Sequence, residues 1–73
     1  MKKFKYITIR EYPEIKKYPN IRFEIVSNKN GVRLGYILWE TRWKQYVFSQ
    51  SQGAVIWSVD CLQDIIKFIE EIK

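Results

Sequence analysis

Side chains able to do covalent or acid–base chemistry are sparse here. The 73 residues include no His, a single Cys and eight acids, so a nucleophile–base pair or a zinc site has almost nothing to work with. Asp60 and Asp64 stand four apart where a helical pattern begins. That spacing would suit paired acid–base carboxylates, but it equally suits caps that complement the positive end of a helix dipole, and we read them as caps. Cys61 falls in the first helical turn, a position that can activate a thiol; beside Leu62 and Ile65 it reads instead as packing. Asn28-Lys29-Asn30-Gly31 is a turn signal and not a nucleotide cradle. What remains is Trp39-Glu40-Thr41-Arg42-Trp43-Lys44, where aromatic and basic residues interleave as they would at a hairpin tip that enters a major groove or offers stacking surface to single strands. No catalytic residue, metal, cofactor or small-molecule substrate is expected, and the chain does not read as an enzyme.

Charge points to a binding role. The net charge is +5, but residues 1–49 carry eleven Lys/Arg against four acids, a balance of +7, while residues 50–73 carry two against four, a balance of −2. An acidic partner would meet the first two-thirds of the chain. Hydrophobic residues at 47% and aromatics at 16% argue for a folded chain and against disorder. One Cys cannot close an internal disulfide, and there is no apolar run of signal-peptide or membrane-span length, so a cytoplasmic, reduced setting without membrane contact is expected.

Those surfaces must be positioned by a small number of elements. A single domain over 1–73 is expected, divided into an N-terminal strand and Pro-containing connector (1–20), an antiparallel sheet (21–57) and a C-terminal helix (58–73). Residues 3–10 read as a first strand whose face is ambiguous, since Phe4 and Tyr6 share one parity and Ile7 and Ile9 the other. Pro13 and Pro19 make residues 11–20 a connector, with room for one helical turn over Glu14–Lys17; Lys16 and Lys17 are either a phosphate-contacting pair or solvated loop lysines. Ile21 to Val26 alternates, apolar on odd numbers, and runs through Asn30-Gly31 into a strand from Val32 to Glu40. A second reversal at Glu40-Thr41-Arg42-Trp43 makes Gly35 to Phe48 the central hairpin, and Ala54-Val55-Ile56-Trp57 reads as a short fifth strand. Ser58 or Asp60 would cap a helix whose apolar stripe is Cys61, Leu62, Ile65, Ile66, Phe68, Ile69 and Ile72.

Counting sides through the two reversals assigns faces. The short link from the fifth strand turns the helix back onto Ile37, Trp39, Tyr46, Phe48, Val55 and Trp57, with Gly35 leaving room for close approach, and Arg22, Arg33 and Lys44 fall at the rim of that side. The opposite face then holds Ile21, Phe23, Ile25, Leu34, Tyr36, Leu38, Trp43, Val47 and Ile56. So large an apolar surface implies a cover, either residues 1–20 folded across it or a partner, which would be a second copy or another protein. The partner-binding residues expected there are Tyr36, Leu38, Arg42, Trp43, Val47 and Phe23. The fold class is therefore α+β: an antiparallel four- to five-stranded β-meander with one C-terminal α-helix packed on one face.

Gly35-x-Ile37-x-Trp39, Trp43-x-x-Tyr46-x-Phe48 and Cys61-Leu62-x-Asp64-Ile65-x-x-Phe68-Ile69 together resemble the pattern of short uncharacterised proteins encoded by bacteriophages and other mobile elements. The resemblance spans residues 35–69. It implies a non-catalytic protein that occupies a surface of a host macromolecule, a host protein first of all, in the manner of inhibitors of host defence and in the host cytoplasm. The strand-strand-strand-helix order also resembles the AP2-like DNA-binding domain of phage integrases, which reads DNA with the sheet face away from the helix; the side count leaves that face here without arginines. The alternative function is accordingly a small accessory protein that binds double-stranded DNA through Lys2, Lys3, Lys5, Arg10, Arg42 and Lys44.

Overall fold

The computed structural model describes residues 1–13, 17–51, 53 and 56–73. Its elements are β1 (Lys2–Lys3), β2 (Ile7–Glu11), β3 (Ile21–Ser27), β4 (Arg33–Glu40), β5 (Gln45–Gln50) and α1 (Val59–Ile72). The strands form one open antiparallel sheet in the order β1-β2-β3-β4-β5, a meander in which each strand pairs with its neighbours in sequence. With the C-terminal helix on one face, this is an α+β fold.

The N-terminal segment is a hairpin rather than one strand. The chain reverses between β1 and β2, where Phe4 N–H donates to the Ile7 carbonyl at 2.8 Å. That reversal resolves the parity conflict: Phe4 reaches the same core as Ile7 and Ile9 although their sequence parities differ. The expected strand over 54–57 is not among the described elements. Ala54 and Val55 lie outside the described residues, Ile56 is 96% exposed, and Trp57 stacks edge-on against Phe48 with ring centroids 4.8 Å apart. The helical turn expected from Glu14, together with Ile15 and Lys16, also lies outside the described residues.

Helix α1 begins where its cap requires. Ser58 is extended (φ −80°, ψ 159°) and its Oγ accepts from the Cys61 N–H at 3.1 Å, leaving Asp60 in the first turn. Ile65 and Phe68 are the helix's buried residues, and they close over Ile7, Ile9, Ile25 and Ile37 from three adjacent strands, with Phe23, Tyr46, Phe48 and Trp57 packed around the margin. Gly35 is buried beneath this layer for a local reason. A Cβ built there would stand 2.7 Å from the Ser49 carbonyl oxygen and 2.9 Å from the Phe48 ring, so the close approach that the glycine permits is to β5.

Two register shifts between β3 and β4 correct the side count. At the turn, Val26 faces Arg33, in line with simple counting, but the next pairs are Ile25 with Gly35 and Phe23 with Ile37. Leu34 is the extra residue of a bulge, and a second irregularity between Ile21 and Phe23 restores the original parity at Ile21 with Leu38. Between the bulges every β3 side chain lies on the side opposite to that expected. Ile25 is therefore fully buried under the helix, Phe23 packs edge-on against Phe68 at 4.9 Å, and Leu34 joins the same core. Phe23 is thus removed from the candidate partner-binding face. By the same shift, Glu24 and Arg33 come to the open side.

Candidate docking face

One row of paired residues crosses the open face from β2 to β5: Arg10 opposite Glu24, Glu24 opposite Tyr36, and Tyr36 opposite Ser49. Glu24 is 4% exposed, a charged group taken almost wholly out of water. It is kept there by two guanidinium groups. Arg10 Nε donates to Glu24 Oε1 at 2.6 Å, and Arg33 donates to Oε2 through Nε at 3.0 Å and lies within 2.9 Å through Nη2. Removing a carboxylate from water is costly unless its lone pairs are satisfied, and charge-assisted bonds from two sides do that.

Both arginines remain about half exposed, at 51% and 46% of their side-chain surface. One carboxylate against two guanidiniums leaves the cluster with a net positive charge. Arg33 also donates through Nη1 to the Tyr36 hydroxyl at 3.1 Å and lies over the rings of Tyr12 and Tyr36, 5.5 and 5.4 Å from their centroids. Its pKa is raised from the ordinary arginine value, first by the Tyr36 hydrogen bond, against which desolvation works, and then by Glu24. Tyr12 meets Tyr36 edge-on at 5.7 Å. The result is a fixed plate of Arg33 and two tyrosine rings, cation–π contacts included.

Beside this plate runs a groove of about 600 Å³ lined by Tyr12, Tyr18, Ile21, Arg33, Tyr36, the β5 end Ser49 and Gln50, and Ser51 just beyond it. Two smaller depressions share Ile21 with it, one reaching Arg22 and Pro19, the other Lys17, Asn20 and Leu38. Among the described residues, the lining of all three includes Lys17, Arg22 and Arg33 and no carboxylate.

The structure brings most of the expected partner-binding residues together. Leu38 and Val47 are paired across β4 and β5, next to the Tyr36–Ser49 pair, and all of Tyr36, Leu38 and Val47 are partly buried. Trp43 (65% exposed) and Arg42 lie in the turn at the end of the same two strands. Arg42 there donates to Glu40 from Nε at 3.0 Å and from its backbone N–H at 3.1 Å, and those bonds hold the Glu40 carboxyl below its usual range. Lys44 closes the turn in the left-handed region at φ 54°.

The six expected DNA contacts do not form one patch. Lys2 and Lys3 lie on the outer strand β1, with Lys5 just after them near the β3–β4 turn, where Asn28 Nδ2 donates to the Lys5 carbonyl at 3.3 Å. Arg42 and Lys44 lie at the β4–β5 turn, at the opposite end of the strands and the opposite edge of the sheet. Arg10 is engaged by Glu24 in between. The open face, expected to lack arginines, carries Arg10 and Arg33.

Residue-level reading missed Glu24, Arg33, Tyr12 and Tyr18 as parts of this face. Glu24 occupies a polar position of the β3 alternation, where a charge reads as exposed, and the only hint was that each flanking strand supplies an arginine. Its meaning depended on a register that the bulges alter. Among the described residues no cluster of three potential metal ligands occurs, and no helix is long and apolar enough to cross a membrane. Comparison with known protein families, with curated proteins and with solved structures finds no match to this chain.

Proposed function

We propose that this chain is a non-catalytic binding protein that acts by occupying a surface of another protein with the open face of its sheet. The observation that carries the reading is where the N-terminal segment goes. Phe4, Ile7 and Ile9 enter the helix-side core, so β1 and β2 widen the sheet; of the described N-terminal residues Tyr12 and 17–20 border the open face beside Tyr36 and Leu38, and Tyr36, Leu38 and Val47 stay partly exposed with Trp43 at 65%. Aromatic and arginine anchors around a partly apolar centre are the composition of protein–protein hot spots. The resemblance of residues 35–69 to phage and mobile-element proteins supports a host protein as the partner, with inhibition of host defence as the corresponding role. A second copy of the chain and double-stranded DNA are the alternatives.

The test is affinity capture from host lysate with and without nuclease, for the native chain and for Trp43→Ala and Tyr36→Ala. A host protein retained after nuclease is the expected result, with the two variants together weakening capture by several kcal/mol in sum, an order of magnitude set by interface hot spots, at unchanged far-UV circular dichroism. Capture lost to nuclease would favour the DNA alternative. Capture indifferent to both variants would remove the open face from the function.

A further inference from the structure

We infer that the groove on the open face receives an acidic segment of the partner polypeptide, with carboxylates meeting Arg33, which lines the groove, and Arg10, which adjoins it across Glu24, and apolar side chains lying on Tyr12, Tyr36 and, in the adjoining depression, Leu38. The inference rests on the protein-binding reading above and specifies the chemistry of what is bound.

Charge complementarity selects this occupant. Glu24 is spent on the two arginines at 6% side-chain exposure, so it orients the guanidiniums, and its single negative charge is outweighed by their two positive ones. Arg10 engages Glu24 through Nε, and its terminal nitrogens have no partner among the described residues. A guanidinium whose stem is already fixed loses less freedom when it takes a carboxylate in its fork, which is the geometry that makes arginine selective for such groups. Lys17 and Arg22 add positive charge along the depressions continuous with the groove. Arg33 already takes one face of each of Tyr12 and Tyr36, at 5.5 and 5.4 Å, and the two rings meet edge-on. This disfavours a stack of bases, which needs free ring faces, and favours a polypeptide, which needs only ring edges and a fixed cation.

The experiment is fluorescence anisotropy of the full chain with a short labelled peptide of alternating Glu and Leu, compared with a Lys–Leu peptide of equal length and with labelled oligothymidylate. The Glu–Leu peptide should bind best. Arg10→Gln and Arg33→Gln should each weaken it about tenfold, the scale of one charged hydrogen bond. Lys3→Gln, on the outer strand β1, should leave it unchanged, whereas a mere attraction to the net charge would respond to all three substitutions alike. If Arg33→Gln loses its native circular dichroism, Arg10→Gln decides, because Arg10 makes none of the tyrosine contacts that Arg33 makes. Equal binding of the Lys–Leu peptide, indifference to Arg10, or tighter oligothymidylate binding through the same arginines would overturn the inference. A host protein still captured through Tyr36 under those outcomes would leave the broader reading standing, so the two failures are distinguishable.

Discussion

Gly35 shows how little space separates the central strands. Its missing side chain admits the Phe48 ring and the Ser49 carbonyl, and the latter is backbone that cannot swing aside. Gly35→Ala should therefore destabilise the chain by about 1–3 kcal/mol, the usual cost of forcing extra volume into a packed site, read as a lower denaturant midpoint with an unchanged slope. A loss within error of zero would mean that β5 shifts freely. Gly35 was legible as a close-approach position from its place in an alternating run, but the neighbour it accommodates was not, because that depends on which strand residue lies across from it. Glu24 was harder still. Its charge looks exposed on any simple alternation, and only the two arginines brought alongside it make burial tolerable.

At the scale of elements, the helix was the easiest to place. Its stripe and its cap both carry local signals, and Ser58→Ala should cost about 1 kcal/mol through loss of the Oγ bond to the Cys61 N–H, measured by chemical denaturation. Restoration by Ser58→Asp would identify the cap as the cause. The central hairpin β4–β5 was equally legible, because its alternation stays in register from Gly35–Gln50 to Glu40–Gln45. The β3–β4 pair was not. A bulge adds one residue to a strand with little mark in the sequence, and its effect is to exchange faces for everything that follows until a second irregularity cancels it. Phe23 and Ile25 moved to the helix side for that reason, and the apolar surplus assigned to the open face shrank accordingly.

For the whole molecule, one core joins β2, β3, β4 and α1, so the sheet has no separate reserve of stability. Phe68 is 7% exposed and meets Phe23 across the helix–sheet boundary. Phe68→Ala should cost about 3–5 kcal/mol, a large share of what a chain of this size has, and should lower the thermal midpoint recorded by far-UV circular dichroism and by tryptophan fluorescence together. Separate transitions for the two probes would mean that the sheet survives without its helix. The amino-acid sequence by itself determined the antiparallel meander from β3 to β5, the C-terminal helix with its start narrowed to Ser58 or Asp60, and the helix-side role of Ile37 and Phe48, because each follows from periodicity and turn chemistry within a few residues. Only the tertiary structure decided that β1 and β2 widen the sheet while Tyr12 and Tyr18 border its open face, and that Arg10, Glu24 and Arg33 meet there. Those outcomes depend on registers between distant segments, where a shift of one residue reverses every side chain and leaves the local pattern unchanged.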